Sequence, residues 1–292
     1  MAKKFDRAAE DLGNIVALEH VNVTIPDQHL STLFYIVGLG LTRDPYLVTG
    51  VVNMWANVGR SQFHLPTNEP QVVRGRVGLV TPDLAGLARR LESVAKPLDG
   101  TRFDFTVHND HIDTTCPWGN RIRCHAPDER FGPVGLGIPY VELDVPVGTA
   151  DRIARFYREI MGTLATVGEV DGAAAARASV GNHQELIFRE TDAPAPAYDG
   201  HHIQVYVADF SGPHGRLAER GLVSQEDNQH QYRFRDIVDV DSGELLFTLE
   251  HEVRSMTHPL FARPLVNRNP DQTNNEFAPG HETRAWAMPY SG

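Results

Sequence analysis

Residues His202–Asp209 read HIQVYVAD, a short apolar run that opens on a histidine and closes on an aspartate. Similar stretches are HVNVTIPD from His20, RVGLVTPD from Arg76 and ELDVPVGTAD from Glu142. Their starts are 56, 66 and 60 residues apart. Each reads as a strand leaving through a turn into a helix, with the closing aspartate a candidate N-cap. The segments that follow, HLSTLFYIVG, LAGLARRLESV, RIARFYREIMG and FSGPHGRLAERG, have helical patterning. Several strand-like runs come next, the last in each unit starting at a glycine turn: GRSQFHLP, GNRIRCHAP, GNHQELIFRE and GELLFTLEHE. The repeating unit is therefore βαβββ, present four times. One such unit cannot bury both faces of its sheet, so units must pair.

Composition excludes several partners. A net charge of −11 over 292 residues disfavours nucleic acid and anionic membrane. No stretch approaches the roughly 18 apolar residues of a membrane span. The basic start MAKKFDRAAEDLGN has no apolar run behind it and does not read as a signal peptide. Cys116 and Cys124 read as reduced thiols rather than a cross-hairpin disulfide, placing the chain in the cytoplasm.

The repeated unit, the LEHVNV and HHIQVYV starts, and the WGNRIR and SGELLF hairpins resemble the vicinal oxygen chelate superfamily across roughly residues 15–253. That group includes glyoxalase I, extradiol dioxygenases, fosfomycin- and bleomycin-resistance proteins and methylmalonyl-CoA epimerase. The resemblance implies an α+β fold of four βαβββ modules pairing into two curved mixed-sheet cups. Residues 1–134 would hold modules one and two, 135–256 modules three and four, and 257–292 an extended C-terminal arm. The arm carries Leu260, Phe261, Leu265, Val266, Phe277 and Trp286, which suits packing across a neighbouring unit or a second subunit, so a homo-oligomer is compatible.

In that family, metal ligands come from the first and last strands of a module. The first-strand positions here hold His20, Arg76, Glu142 and His202; the last-strand positions hold His64, Arg123, Glu185 and, in module four, Phe247 or Glu250. Sequential pairing would gather two arginines and two imidazoles without a carboxylate, a poor metal site and a costly buried cluster. Pairing one with four and two with three instead sets Arg76 and Arg123 against Glu142 and Glu185. It also leaves His20, His202 and Glu250 as two histidines and a carboxylate, the donor set of non-haem Fe(II) oxygenases. Mn(II), Zn(II) and Ni(II) suit the same donors. Glu250 lies three residues past Phe247, and an odd offset changes the strand face, so a longer hairpin or a bulge is required. Glu252 shares its parity and is the fallback.

By the same resemblance His64, His230 and Tyr232 are candidate proton-transfer and oxyanion-stabilising groups. His201 takes the face opposite His202 and reads as structural. The leading expectation is a metal-dependent extradiol-type dioxygenase acting with O2 on a small aromatic diol or hydroquinone. A glyoxalase-like lyase or isomerase and a non-catalytic small-molecule binding protein are the rival readings.

Overall fold

The structure is a computed structural model, which describes residues 5–47 and 50–268. Module one contains β1 (Ile15–Asn22), α1 (Gln28–Ser31, continuing with wider turns through Thr32–Gly38), β2 (Thr42–Arg43), β3 (Asn53–Val58) and β4 (Ser61–Pro66). Module two contains β5 (Gly75–Val80), α2 (Leu84–Ala95), β6 (Asp104–Val107), β7 (His111–Thr115) and β8 (Arg121–His125). Module three contains β9 (Gly137–Pro146), α3 (Ala150–Phe156, continuing through Tyr157–Met161), β10 (Ala165–Val170), β11 (Ala173–Gly181) and β12 (Gln184–Thr191). Module four contains β13 (His202–Val207), α4 (Ser211–Ala218), β14 (Val223–Asn228), β15 (Gln231–Val238) and β16 (Leu245–Ser255).

The aspartates that close the repeats act on the helices in three modules. Asp27 accepts from the backbone of His29 and Leu30, Asp83 from Gly86, and Asp209 from Gly212. Module three differs because its repeat is two residues longer. Asp151 falls inside the first turn there, and Glu190 from β12 accepts from Ala150 N–H instead.

Two eight-stranded sheets result, ordered β14-β15-β16-β13-β1-β4-β3-β2 and β10-β11-β12-β9-β5-β8-β7-β6. Module one thus shares a sheet with module four, and module two with module three. In each sheet the two first strands meet antiparallel at the centre, and each last strand runs parallel beside its own first strand. The division at residue 134 runs across this pairing, since each cup takes one module from each chain half. What ties a half together is its helices. Gly38 lies against Leu91 and Val94 of α2, where an added Cβ would stand 3.2 Å from Val94. In the other half, Phe156 packs on Phe234, and Arg216 donates to the Ile160 carbonyl at 2.8 Å.

The face of each sheet turned to the helices is apolar. Val21, Ile203, Val205, Val253 and Phe63 are buried there, each worth about 1.5–3 kcal/mol relative to exposure. The sheets also approach each other directly. Gln184 bonds Leu18 at both N–H and carbonyl, and at Gly181 (φ +149°) a Cβ would come within 3.0 Å of the Ala17 Cα.

Beyond β16 the chain crosses module one. Arg263 donates to Asp44 at 2.8 Å and to Gln62 at 3.2 Å, and Asn57 donates to the Val266 carbonyl at 3.0 Å. Leu260, Phe261, Leu265 and Val266 thus belong to an arm on a neighbouring module of the same chain, whereas Phe277 and Trp286 lie outside the described residues. Cys116 and Cys124 are buried and unlinked. Among the described residues no helix is long and apolar enough to cross a membrane.

Candidate metal centre

Side chains alternate along a strand, so the register decides which residues share the first cup. Across β1, β13 and β16, one row holds His20, Gln204 and Glu252, and the next holds Asn22, His202 and Glu250. A register shift between Leu18 and His20 leaves Glu19 as a bulged residue. Glu19 therefore turns to the same side as His20, with Oε2 3.2 Å from His20 Nδ1. His64 on β4 lies beside Asn22 and stacks on Trp55 at 3.7 Å.

His20, His202 and Glu252 each bring one ligand atom within 4.8 Å of the others. His202 Nε2 is 3.6 Å from Glu252 Oε2, and the ring centroids of His20 and His202 are 5.8 Å apart. The Nε2 atoms of His20, His202 and His64 are buried without a hydrogen-bond partner among the described residues. On His20, the Nδ1–H is committed to Glu19, so the Nε2 lone pair faces the group, a common arrangement behind a metal-binding imidazole.

The carboxylate differs from the sequence expectation. Glu250 sits one row away from His20, 3.7 Å from His202 Nδ1, and accepts from Arg233 at 2.5 Å. Glu252 takes its place in the group. It is held by Arg233 and, at 2.5 Å, by Arg254, which also reaches Glu19 at 3.1 Å. Asp227 stands 3.5 Å from Arg233. Four carboxylates against two guanidiniums leave two negative charges beside three histidines, a surplus that one divalent cation would balance. A carboxylate offers about four lone-pair sites, so Glu252 keeps room for an ion beside its two arginines. The residues present therefore fit a divalent metal.

The electrostatics follow the packing. Burial, then the neighbouring His20 and His202, pushes the His64 imidazole down to about 2, so it is neutral. Burial lowers His202 also, against the pull of Glu252. Burial alone would raise the Glu252 carboxyl, but the closeness of His202 and His20 and the charges of Arg254 and Arg233 hold it far below the usual carboxylate range.

His230 and Tyr232 do not reach this cup. On β15, Gln231 and Arg233 pair with Arg254 and Glu252, whereas Tyr232 pairs with Val253. Tyr232 is 1% exposed and packs on Phe210 and His214 of the helix layer. His230, of the same parity, lies beyond the strand end and contacts Thr257 at 3.2 Å. Tyr232 therefore faces the helix layer, whereas His230 sits in the turn before β15, where strand alternation does not apply. His201 is likewise turned away, pinned to Asp199 at 2.6 Å.

Glu19, Gln204, Arg233 and Arg254 were not singled out from the sequence. Parity from His202 along β13 reaches Gln204, but Glu19 was hidden by its bulge. Gln204 is fully buried, and its amide has no hydrogen-bond partner among the described residues. A cavity of ≈ 700 Å³ opens under the arm, with Glu19, Tyr206, Leu260, Phe261 and Arg263 on its walls.

The second cup holds the opposing charges. Arg76 donates to Glu142 at 2.7 and 3.0 Å, as their register pairing requires. Arg123 and Glu185 line the same cavity of ≈ 730 Å³, but not as each other's partners. Arg123 is taken by Asp113 at 2.7 Å, directly across on the adjacent strand, and Glu185 by Arg177 at 2.6 Å, on the adjacent strand one diagonal step from Glu185's partner Ser179.

A scan against protein-family models matched nothing, and a search of curated proteins matched nothing either. Solved structures do match. Glyoxalase I from Zea mays superposes with TM-score 0.56 at 12% identity, covering 82% of this chain and 92% of that one. The "putative dioxygenase" of Bacillus subtilis superposes with TM-score 0.55 at 15% identity, covering 84% and 86%. These likenesses are of fold.

Proposed function

On the vicinal oxygen chelate fold, which this chain has, we propose that the cup of modules one and four is the active site of a metal-dependent enzyme. His20, His202 and Glu252 hold the ion. Two imidazoles and one carboxylate suit Fe(II) best, and Mn(II), Zn(II) or Ni(II) as alternatives. The reaction is extradiol-type cleavage of a small aromatic diol or hydroquinone, with both atoms of O2 entering the product. When bound, the ion supplies a Lewis acid for adjacent substrate oxygens and, as Fe(II), a redox centre for O2.

The chain's own groups do the rest. His64, neutral and with an unpartnered Nε2 beside His20, accepts a hydrogen bond from a substrate hydroxyl. Gln204 offers its unpartnered amide to a substrate oxygen. Arg233 and Arg254 fix Glu252, and Glu19 fixes the His20 ring. Phe261 and Tyr206, 4.9 Å apart edge to face, wall the cavity where an aromatic ring would lie. The observation that carries the reading is the convergence of the buried His20, His202 and Glu252 beside two surplus negative charges.

A glyoxalase-like proton transfer is the second reading, favoured by one feature: His64, on the last strand of module one, stands beside the His20 ring with 5.6 Å between centroids. The test is oxygen uptake by Fe(II)-reconstituted protein on a panel of catechols and hydroquinones, beside isomerisation of the hemithioacetal of methylglyoxal and glutathione. Uptake abolished by Glu252→Gln but kept by Glu250→Gln supports the proposal. Turnover of the hemithioacetal without O2 consumption would replace it with the second reading.

A further inference from the structure

A separate group of donors sits on the β6–β7 hairpin, which turns through Asn109 and Asp110 in the other sheet. His108 N–H donates to the His111 carbonyl at 2.9 Å, so the two histidines face each other across the turn. Their rings stack at 4.3 Å with 16° between planes. Asp113 is two residues along β7, on the His111 face. Its Oδ2 lies 3.5 Å from His111 Nε2 and 3.6 Å from His108 Nε2. One ligand atom from each residue falls within 4.8 Å of the others.

The far side of two of these groups is already engaged. His111 Nδ1 is 2.7 Å from Asp110 Oδ1, which places the proton on Nδ1 and leaves the Nε2 lone pair toward Asp113. That Nε2 is buried and has no hydrogen-bond partner among the described residues. Asp113 accepts from Arg123 Nε at 2.7 Å and Nη2 at 2.9 Å, which orients its carboxylate and leaves further lone pairs. A carboxylate behind the imidazole and a hydrogen-bonded ligand carboxylate are the usual supports of a metal site.

We propose that His108, His111 and Asp113 form a second divalent-metal site, distinct from the His20 cup, for a borderline transition ion such as Zn(II). Two imidazoles discriminate against Mg(II) and Ca(II), which prefer all-oxygen shells. In a tetrahedral zinc site with bonds of about 2.0–2.1 Å, ligand atoms stand roughly 3.3–3.4 Å apart. The separations of 3.5 and 3.6 Å therefore need to close by only a few tenths of an ångström. The stacked imidazoles need more, because parallel rings cannot aim both lone pairs at one point. The His108 side chain is 41% exposed and free to turn its ring; His111, 16% exposed and tied to Asp110, is the fixed half of the pair. Arg123 beside Asp113 makes the site weaker than one built on an unpaired carboxylate.

The test uses Zn(II) alone, counted by equilibrium dialysis and metal analysis on the full chain, with circular dichroism as the folding control. His111→Gln is expected to bind one equivalent fewer than wild type. The same loss of one equivalent is expected when both proteins carry His20→Ala, so the result does not depend on whether the first cup binds. Asp110→Asn should keep the site with affinity reduced about 10- to 100-fold. His108→Gln, a change at an exposed ring, repeats the test should His111→Gln fail to fold. Equal stoichiometry and affinity for wild type and the folded variants would overturn the proposal.

Discussion

Replacing Glu142 with glutamine tests whether the second cup is a charge-compensated wall. Glu142 is 4% exposed at its side chain and accepts from Arg76 at 2.7 and 3.0 Å and from Arg189 at 3.3 Å. Glu142→Gln preserves shape but leaves Arg76, 17% exposed, in a pocket built for a salt bridge. Removing one partner of a buried pair costs about 3–5 kcal/mol. Asp171 and Asp144 still reach the two arginines, at 2.9 and 2.8 Å, which moves the expectation to about 2–3 kcal/mol. With a urea m-value of about 3 kcal/mol per molar, the midpoint should fall by roughly 0.7–1 M. The paired change Arg76→Met with Glu142→Leu removes both charges and should return to within about 1 kcal/mol of wild type. Urea unfolding followed by circular dichroism and tryptophan fluorescence measures all three. A Glu142→Gln variant within about 0.5 kcal/mol of wild type would refute the reasoning, because only solvent-exposed pairs are worth so little.

Two further expectations concern the helix side and the arm. His251 is fully buried, with Nδ1–H donating to the Leu249 carbonyl at 2.7 Å and Nε2 accepting from the Tyr157 hydroxyl at 2.6 Å; burial pushes its imidazole down to about 4. Between about pH 6.5 and 4 the unfolded chain binds a proton there that the folded chain refuses, so stability falls on acidification by about 1.4 kcal/mol per pH unit, about 3 kcal/mol in all. His251→Gln should remove that share of the slope, and identical slopes for the two proteins would contradict the assignment. Arg263→Ala should loosen the arm, because Arg263 is the arm's ion pair to Asp44, whose side chain is fully buried. Loss of about 1.5–3 kcal/mol corresponds to cleavage after Phe261 faster by roughly tenfold or more; unchanged chymotryptic rates would show that the arm is held elsewhere.

Much of the fold was legible because each module repeats the same strand, cap and hairpin chemistry. Pairing was legible because residue types sorted by module: an arginine of module two had to meet a glutamate of module three, and Arg76 opposite Glu142 does so. The candidate carboxylate was harder. Its identity depends on the register between β1 and β13, which the bulge at Glu19 shifts, and no local pattern announces a bulge. The choice between Glu250 and Glu252 therefore waited on the row that His20 occupies. Tyr232 missed the cup for a simpler reason. Alternation says which residues share a face but not which face is inside, and Val253 opposite Tyr232 marks that face as the helix side. The Arg123 partner was missed because Asp113 sits on β7, a middle strand outside the first-and-last-strand pattern.

The most direct measurement is anomalous diffraction at the iron edge from crystals grown anaerobically with Fe(II). The account predicts a peak in the cup of modules one and four, within bonding distance of His20 Nε2, His202 Nε2 and a Glu252 oxygen. A cup without a peak, or a peak bonded to Glu250 in place of Glu252, would contradict it.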